Sequence, residues 1–179
     1  HAILSGDKKS GITFMKMTKG LDEGPIFETH ECSLDADDQL TDLENKLFNL
    51  SKKNLIPFLK TVGEKNKLIN QKERDATFAP KISKEFLQIR WNQETADEVV
   101  RKINALSAKY GTYTFLGKKR IKVFRASKSS GNISALPGTV NETQYGLQVN
   151  CKGDTSILIN ELQMEGKAKL TGSEFLRGY

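Results

Sequence analysis

Gly11-Ile12-Thr13-Phe14-Met15-Lys16-Met17, then Thr18-Lys19-Gly20-Leu21-Asp22-Glu23-Gly24-Pro25, then Ile26-Phe27-Glu28-Thr29-His30-Glu31-Cys32 form the stretch that decides how the first half of the chain folds. The first run is β-prone and sets Ile12 and Phe14 against Thr13 and Met15, the period of two expected of a strand. Two glycines four residues apart, followed by a proline, end it, because glycine accepts positive φ and lets the backbone approach a ligand closely. Pro25 to Cys32 reads as a second strand. From Asp37 onward Leu40, Leu43, Leu47 and Leu50 recur at helical spacing, and Asp35, Asp37 and Asp38 cluster where the positive end of the helix dipole favours acids. Pro57 is expected to kink or interrupt the continuation that carries Phe58, Leu59 and Val62. The first half therefore reads as α/β.

Residues 63–81 lack apolar periodicity and are dense in Gly, Lys, Asn, Gln and Asp, the composition of an interdomain connection. Beyond it Thr95-Ala96-Asp97-Glu98 has the capping-box pattern, and Ala96, Val99, Val100, Ile103 and Leu106 make one apolar stripe, which predicts an amphipathic helix. After Tyr110 the period becomes two. Short strands are expected over 112–116, 119–126, 138–142, 145–151 and 155–163, with turns at Gly117-Lys118, Ser129-Ser130-Gly131-Asn132, Gly146 and Lys152-Gly153-Asp154, and a closing turn of helix from Ser173 to Arg177. Five such strands suggest a small β-barrel resembling an oligonucleotide-binding fold.

The charge is unevenly spread. Of 28 Lys plus Arg and 22 Asp plus Glu, residues 1–80 hold 12 basic and 13 acidic, whereas residues 81–179 hold 16 basic and 9 acidic. A second half so biased suits a polyanion, with a merely soluble basic surface as the alternative. No apolar run approaches the roughly 20 residues that cross a bilayer, and the start has no basic-then-apolar leader, which predicts a cytoplasmic protein without membrane contact. Cys32 and Cys151 are far apart with no metal spacing nearby, so free thiols are expected. The opening His1-Ala2-Ile3-Leu4 lacks an initiator Met, and the chain is expected to be the C-terminal part of a longer protein.

Two places could hold chemistry. Gly117 to Lys128 contains six cations and no acid: Lys118, Lys119, Arg120, Lys122, Arg125 and Lys128. In a strand Arg120 and Lys122 face away from Ile121 and Val123, which presents cations without disturbing a core. Such an array holds phosphates by charge with counterion release, although lysines also protect edge strands. Arg101 and Lys102 on the helix rank second. In the first half Asp22, between Gly20 and Gly24 at the mouth of a strand, could orient a histidine or accept a proton through water, whereas its everyday role is that of a turn former. His30 and Cys32 share a strand face but have no third ligand in sight, which favours a structural role.

These motifs together resemble the C-terminal part of the methionyl-tRNA formyltransferases. The similarity rests on Ala2-Ile3-Leu4-Ser5-Gly6-Asp7 with Gly11-Ile12-Thr13, on Gly20-Leu21-Asp22-Glu23-Gly24-Pro25, on Thr77-Phe78-Ala79-Pro80-Lys81-Ile82, Ile89-Arg90-Trp91, Lys122-Val123-Phe124-Arg125-Ala126 and Pro137-Gly138-Thr139-Val140, and on Leu162-Gln163 and Phe175-Leu176, in that order. The resemblance implies residues 1–62 as the C-terminal remnant of a Rossmann-like formyltransferase domain, 63–81 as linker and 82–179 as a tRNA-binding barrel. It implies formyl transfer from 10-formyltetrahydrofolate to the α-amine of initiator methionyl-tRNA, without a metal, by an enzyme monomeric when intact. Asp22 then matches the aspartate that supports a histidine and helps remove the amine proton, and Gly20, Leu21 and Asp22 fall in the folate loop. The family's catalytic Asn and His have no counterpart here, so these 179 residues alone are expected to be inactive. The chain departs from the family at Asn104 to Gly111, where a proline-rich turn is common, and at Arg90, where an acidic or amide residue is frequent. Competing readings are a formyltransferase for a nucleotide-sugar amine, which gives less reason for the basic second half, and an RNA-binding module without catalytic ancestry, which gives none for the Gly-flanked carboxylate.

Overall fold

The computed structural model describes residues 1–63, 67–129 and 135–178. Most of the turn expected at Ser129 to Asn132 lies outside them. Two compact units result, one made of His1–Gly6, Ala36–Leu40 and residues from Lys81 onward, the other of Asp7–Asp35 and Thr41–Pro80.

In the second of these, β1 (Lys9–Met15) and β2 (Ile26–Ser33) pair antiparallel, from Lys9 opposite Ser33 to Met15 opposite Ile26, with an irregularity between Phe14 and Met15. The connection through Gly20 to Pro25 is thus a hairpin loop rather than a crossover between parallel strands. Helix α2 (Leu40–Thr61) runs through Pro57 without the interruption that was one of the two expected outcomes. The ring removes one backbone donor there, but Phe58 is held by packing, stacked on Phe14 at 4.4 Å and edge-on to Phe27 at 5.5 Å. Leu43 is buried, whereas Phe48, Ile56 and Leu59 are each more than half exposed.

The larger unit is organised by an antiparallel sheet of β3 (Tyr113–Leu116), β4 (Lys119–Lys128), β5 (Val140–Thr143), β6 (Gly146–Cys151), β7 (Thr155–Met164) and β8 (Lys169–Thr171). The strand order is β3-β4-β7-β6-β5, and β8 also pairs with β7. One edge of β7 takes β4; the other takes β6 over Thr155 to Ile159 and β8 over Glu161 to Gln163, end to end. Among the described residues the hydrogen-bonded path leaves β3 and β5 as its ends, so the sheet curls without a ladder that closes it. β8 was not expected: three residues are too few for a periodic signal, although it pairs with β7, the strand just before it.

Helix α3 (Ala96–Leu106) begins at the expected capping box, where the Glu98 amide donates to Thr95 Oγ1 and the Thr95 amide to Glu98 Oε2. It packs on β4, β7 and α1 (Ala2–Ser5), while α4 (Gly172–Arg177) covers β6 to β8. Val99, Ile103, Ile121, Val123, Ile157, Leu162 and Phe175 form the centre of the core. In place of a proline-rich turn, the chain leaves α3 with the Tyr110 and Gly111 amides both donating to the Leu106 carbonyl and with Gly111 at φ 79, where a side chain would be strained. Arg90 directs its backbone amide to Glu94 Oε2 at 2.7 Å. Among the described residues no helix is long and apolar enough to cross a membrane.

Candidate functional site

Asp22 lies in the hairpin loop at the C-terminal end of β1, exposed, with φ 56. This differs from the expectation that the glycines would take the left-handed conformation: Gly20 and Gly24 have ordinary φ, and the aspartate, among the residue types that tolerate this region best, takes it instead. Gly24 is required for another reason. A Cβ there would lie 1.8 Å from the Lys16 carbonyl oxygen, whose own amide donates to the Pro25 carbonyl at 2.9 Å, so the two loop stems approach too closely for any side chain. At Gly20 the corresponding neighbour is only the flexible Glu23 carboxylate.

Gln71, which nothing in the sequence singles out, fixes the loop. Its side-chain amide donates to the carbonyls of Asp22 at 2.9 Å and Gly24 at 2.7 Å, and nearby Ile69 exchanges two backbone hydrogen bonds with Ile26. No local pattern marks Gln71, because its partners are 47 and 49 residues away. Gly20, Leu21 and Asp22 thus sit together on a braced loop, with Leu21 and Met17 almost fully in water. His30 is occupied by Glu28 at 3.1 Å and by the edge-on ring of Phe14 at 6.0 Å. Among the described residues no cluster of His, Cys, Asp or Glu could hold a metal.

The expected phosphate-binding cations separate into groups. Lys118 and Lys119 at the β3–β4 turn and Lys122 on β4 are exposed. Arg120 is half-buried with its guanidinium 3.9 Å from the Tyr113 ring centroid. Arg125 is exposed and donates through Nε to Gln39 at 3.4 Å, and Lys128 is paired with Asp97 at 2.9 Å. Arg101 is half-buried, its Nε lacking a hydrogen-bond partner.

Lys102 is different, and here the expectation of a surface cation needs correction. Its side chain is 5 % exposed, paired with Glu94, donating to the Gln88 carbonyl at 3.2 Å and lying 4.7 Å from the Phe86 centroid. A cation so enclosed is not available to a phosphate. The signal was present: 102 stands three after Val99 and four before Leu106, on the flank of the apolar stripe.

Comparison with known proteins places these features in a family. The family profile described as formyl transferase, C-terminal domain, matches residues 81–179, and that described as formyl transferase matches residues 1–59. The methionyl-tRNA formyltransferase of Bacillus velezensis is 36 % identical over 180 residues, covering 99 % of this chain and 56 % of the relative. That of Dictyoglomus thermophilum is 36 % identical over 184 residues, covering the whole chain and 58 % of the relative. The chain therefore spans little more than half the length of these relatives. The structure of HypX from Aquifex aeolicus in complex with tetrahydrofolic acid superposes with a TM-score of 0.69 at 20 % identity, over 98 % of this chain and 31 % of that one, a likeness of fold. With one profile matched on each side of the connection, in this order, the chain belongs to the formyl transferase family.

Proposed function

We propose that these residues are the C-terminal portion of a methionyl-tRNA formyltransferase of translation initiation: the end of its Rossmann-like catalytic domain, a linker over 63–81, and a basic barrel resembling an oligonucleotide-binding fold that holds initiator methionyl-tRNA. The observation that carries the reading is the run of exposed cations on the β3–β4 turn and β4, Lys118, Lys119 and Lys122, with Lys122 on the face opposite the buried Ile121 and Val123. The names of the relatives supply the tRNA. Arg120, Arg125, Lys128 and Arg101 extend the surface once their present neighbours yield, and Lys102 is set aside.

The formyl donor is 10-formyltetrahydrofolate, in keeping with the tetrahydrofolic acid bound by HypX. The loop suits one edge of such a ligand, since the exposed Leu21 side chain can cover a flat ring beside the Asp22 carboxylate, while Gln71 holds the backbone carbonyls of Asp22 and Gly24. The amine must be neutral to attack the formyl carbon, and Asp22 lies where a carboxylate can support the group that takes its proton. Donors for the developing oxyanion are required as well, and by the resemblance the family's Asn and His would supply them. Exposed Phe48, Ile56 and Leu59 on α2 fit a catalytic domain completed by polypeptide beyond these residues. The reading places the enzyme in the cytoplasm.

Replacing Lys119, Arg120 and Lys122 by Ala is expected to weaken binding of initiator tRNA and to flatten its log–log salt dependence by roughly one unit for each phosphate no longer neutralised. Unchanged affinity and slope would refute the assignment to this strand. Given both substrates, the 179-residue polypeptide is expected to form no formyl-methionyl-tRNA, and turnover would show that the site is complete elsewhere.

A further inference from the structure

The outer face of β3 and β4 carries more than charge. The register sets Phe115 opposite Arg120 and Tyr113 opposite Lys122, so these four side chains share one face. Tyr113 and Phe115 meet edge to face, with centroids 5.7 Å apart at 89°, and the Arg120 guanidinium covers the Tyr113 ring. Phe115 stays half exposed, between Lys118 on the turn and Lys122 further along β4. Across the sheet the pairing of ring and cation recurs, with Lys169 Nζ 3.8 Å from the Phe124 centroid.

A half-exposed phenyl ring in a setting of cations does not suit an apolar protein surface, which would have to desolvate the lysines. It suits a polyanion that also has flat apolar faces to offer. Nucleic acid in which bases are unstacked has both, whereas a duplex hides its base faces and leaves only phosphates for the lysines. We infer that the β3–β4 face is a platform for unpaired nucleotides, one base stacking on Phe115 with a flanking phosphate on Lys122. The inference rests on the reading of this unit as tRNA-binding and deepens it, by directing the face to a single-stranded part of the RNA rather than to a stem.

The test uses the full chain with fluorescein-labelled oligouridylate, a blunt RNA duplex of equal length and an initiator tRNA transcript, read by anisotropy over a salt series. The single strand is expected to bind more tightly than the duplex. Phe115→Ala is expected to weaken oligouridylate and tRNA binding by about tenfold, within the roughly 5- to 150-fold that loss of one stacked base covers, with the salt slope unchanged. Phe115→Trp keeps affinity, and Lys122→Ala lowers the slope by about one unit. Phe115 lies at the surface, and the emission of Trp91, the single tryptophan of the parent, confirms that the alanine variants are folded. If Lys122→Ala weakens binding while Phe115→Ala does not, or if the duplex binds more tightly, the platform is refuted and the tRNA reading stands. If neither substitution has an effect, both fall. Displacement of the oligouridylate by polyglutamate at equal charge would also overturn the inference, because charge alone would then suffice.

Discussion

Changing Lys102 to Met removes a buried cation and keeps most of its length. The ammonium now neutralises Glu94, whose side chain is 17 % exposed, and donates to the Gln88 carbonyl. Removal of one member of a buried pair typically costs about 3–5 kcal/mol, because the other charge is left uncompensated. Glu94 retains some water and the Arg90 amide, and a methionine can still cover the Phe86 ring, so the lower end applies, about 3 kcal/mol. For a domain of this size that is a fall in Tm of about 10 °C or more. Urea unfolding followed by Trp91 emission measures it in the correct unit, since the indole donates to Thr114 Oγ1 at 2.9 Å between the helix-bearing segment and β3. Adding Glu94→Gln removes the orphaned charge while leaving an acceptor for Arg90, and the double variant should recover to within about 1.5 kcal/mol of the starting protein. In conditions where Lys102→Met is folded, its tRNA affinity and salt slope should match the parent, unlike Lys122→Ala. A Lys102→Met protein within about 0.5 kcal/mol of the parent, or a double variant no better than the single one, would refute the reasoning.

Other perturbations separate close packing from flexible neighbours. Gly24→Ala should destabilise the Asp22 loop by about 1–3 kcal/mol and expose it to limited proteolysis, because the Lys16 carbonyl cannot retreat without breaking its pairing with Pro25, whereas Gly20→Ala displaces only the Glu23 side chain and should be nearly neutral. Burial, with the Glu94 charge as a lesser cause, pushes the Cys151 thiol up to about 12, so at pH 8 a disulfide reagent should label Cys32 quickly and Cys151 only on unfolding. The same shift stabilises the fold in full below the ordinary thiol value of 9.0 and is lost as pH rises from there towards 12, because the unfolded chain ionises first. Hydrogen bonds from the Thr95 and Thr171 backbone and hydroxyl groups lower the carboxyls of Glu98 and Glu174. That contribution is present above the ordinary carboxylate value and lost as pH falls through the lowered one, so Glu98→Gln should reduce the acid sensitivity seen in a denaturation series from about pH 6 to 3.

Much of this protein is written in local chemistry. The capping box at Thr95 and the stripe from Ala96 to Leu106 need only helical geometry, and alternation after Tyr110 places all five expected strands within a residue or two of where they lie, because a sheet with one buried face imposes a period of two on whatever sequence forms it. The Gly-flanked Asp22 and the cations of β4 were legible for the same reason: turns and strand faces are set by neighbours in sequence. What depended on distant partners was not. Residues 1–6 and 36–40 group with the unit that begins at Lys81, and Gln71 braces a loop nearly fifty positions away. Phe58 anchors α2 past its proline through two rings of other strands, and Lys102, a cation like its neighbours in sequence, is drawn inside by Glu94. Periodicity reports which face of an element is buried; only the assembled structure decides what each face meets, because desolvation and hydrogen bonding are settled by groups the chain brings together from afar.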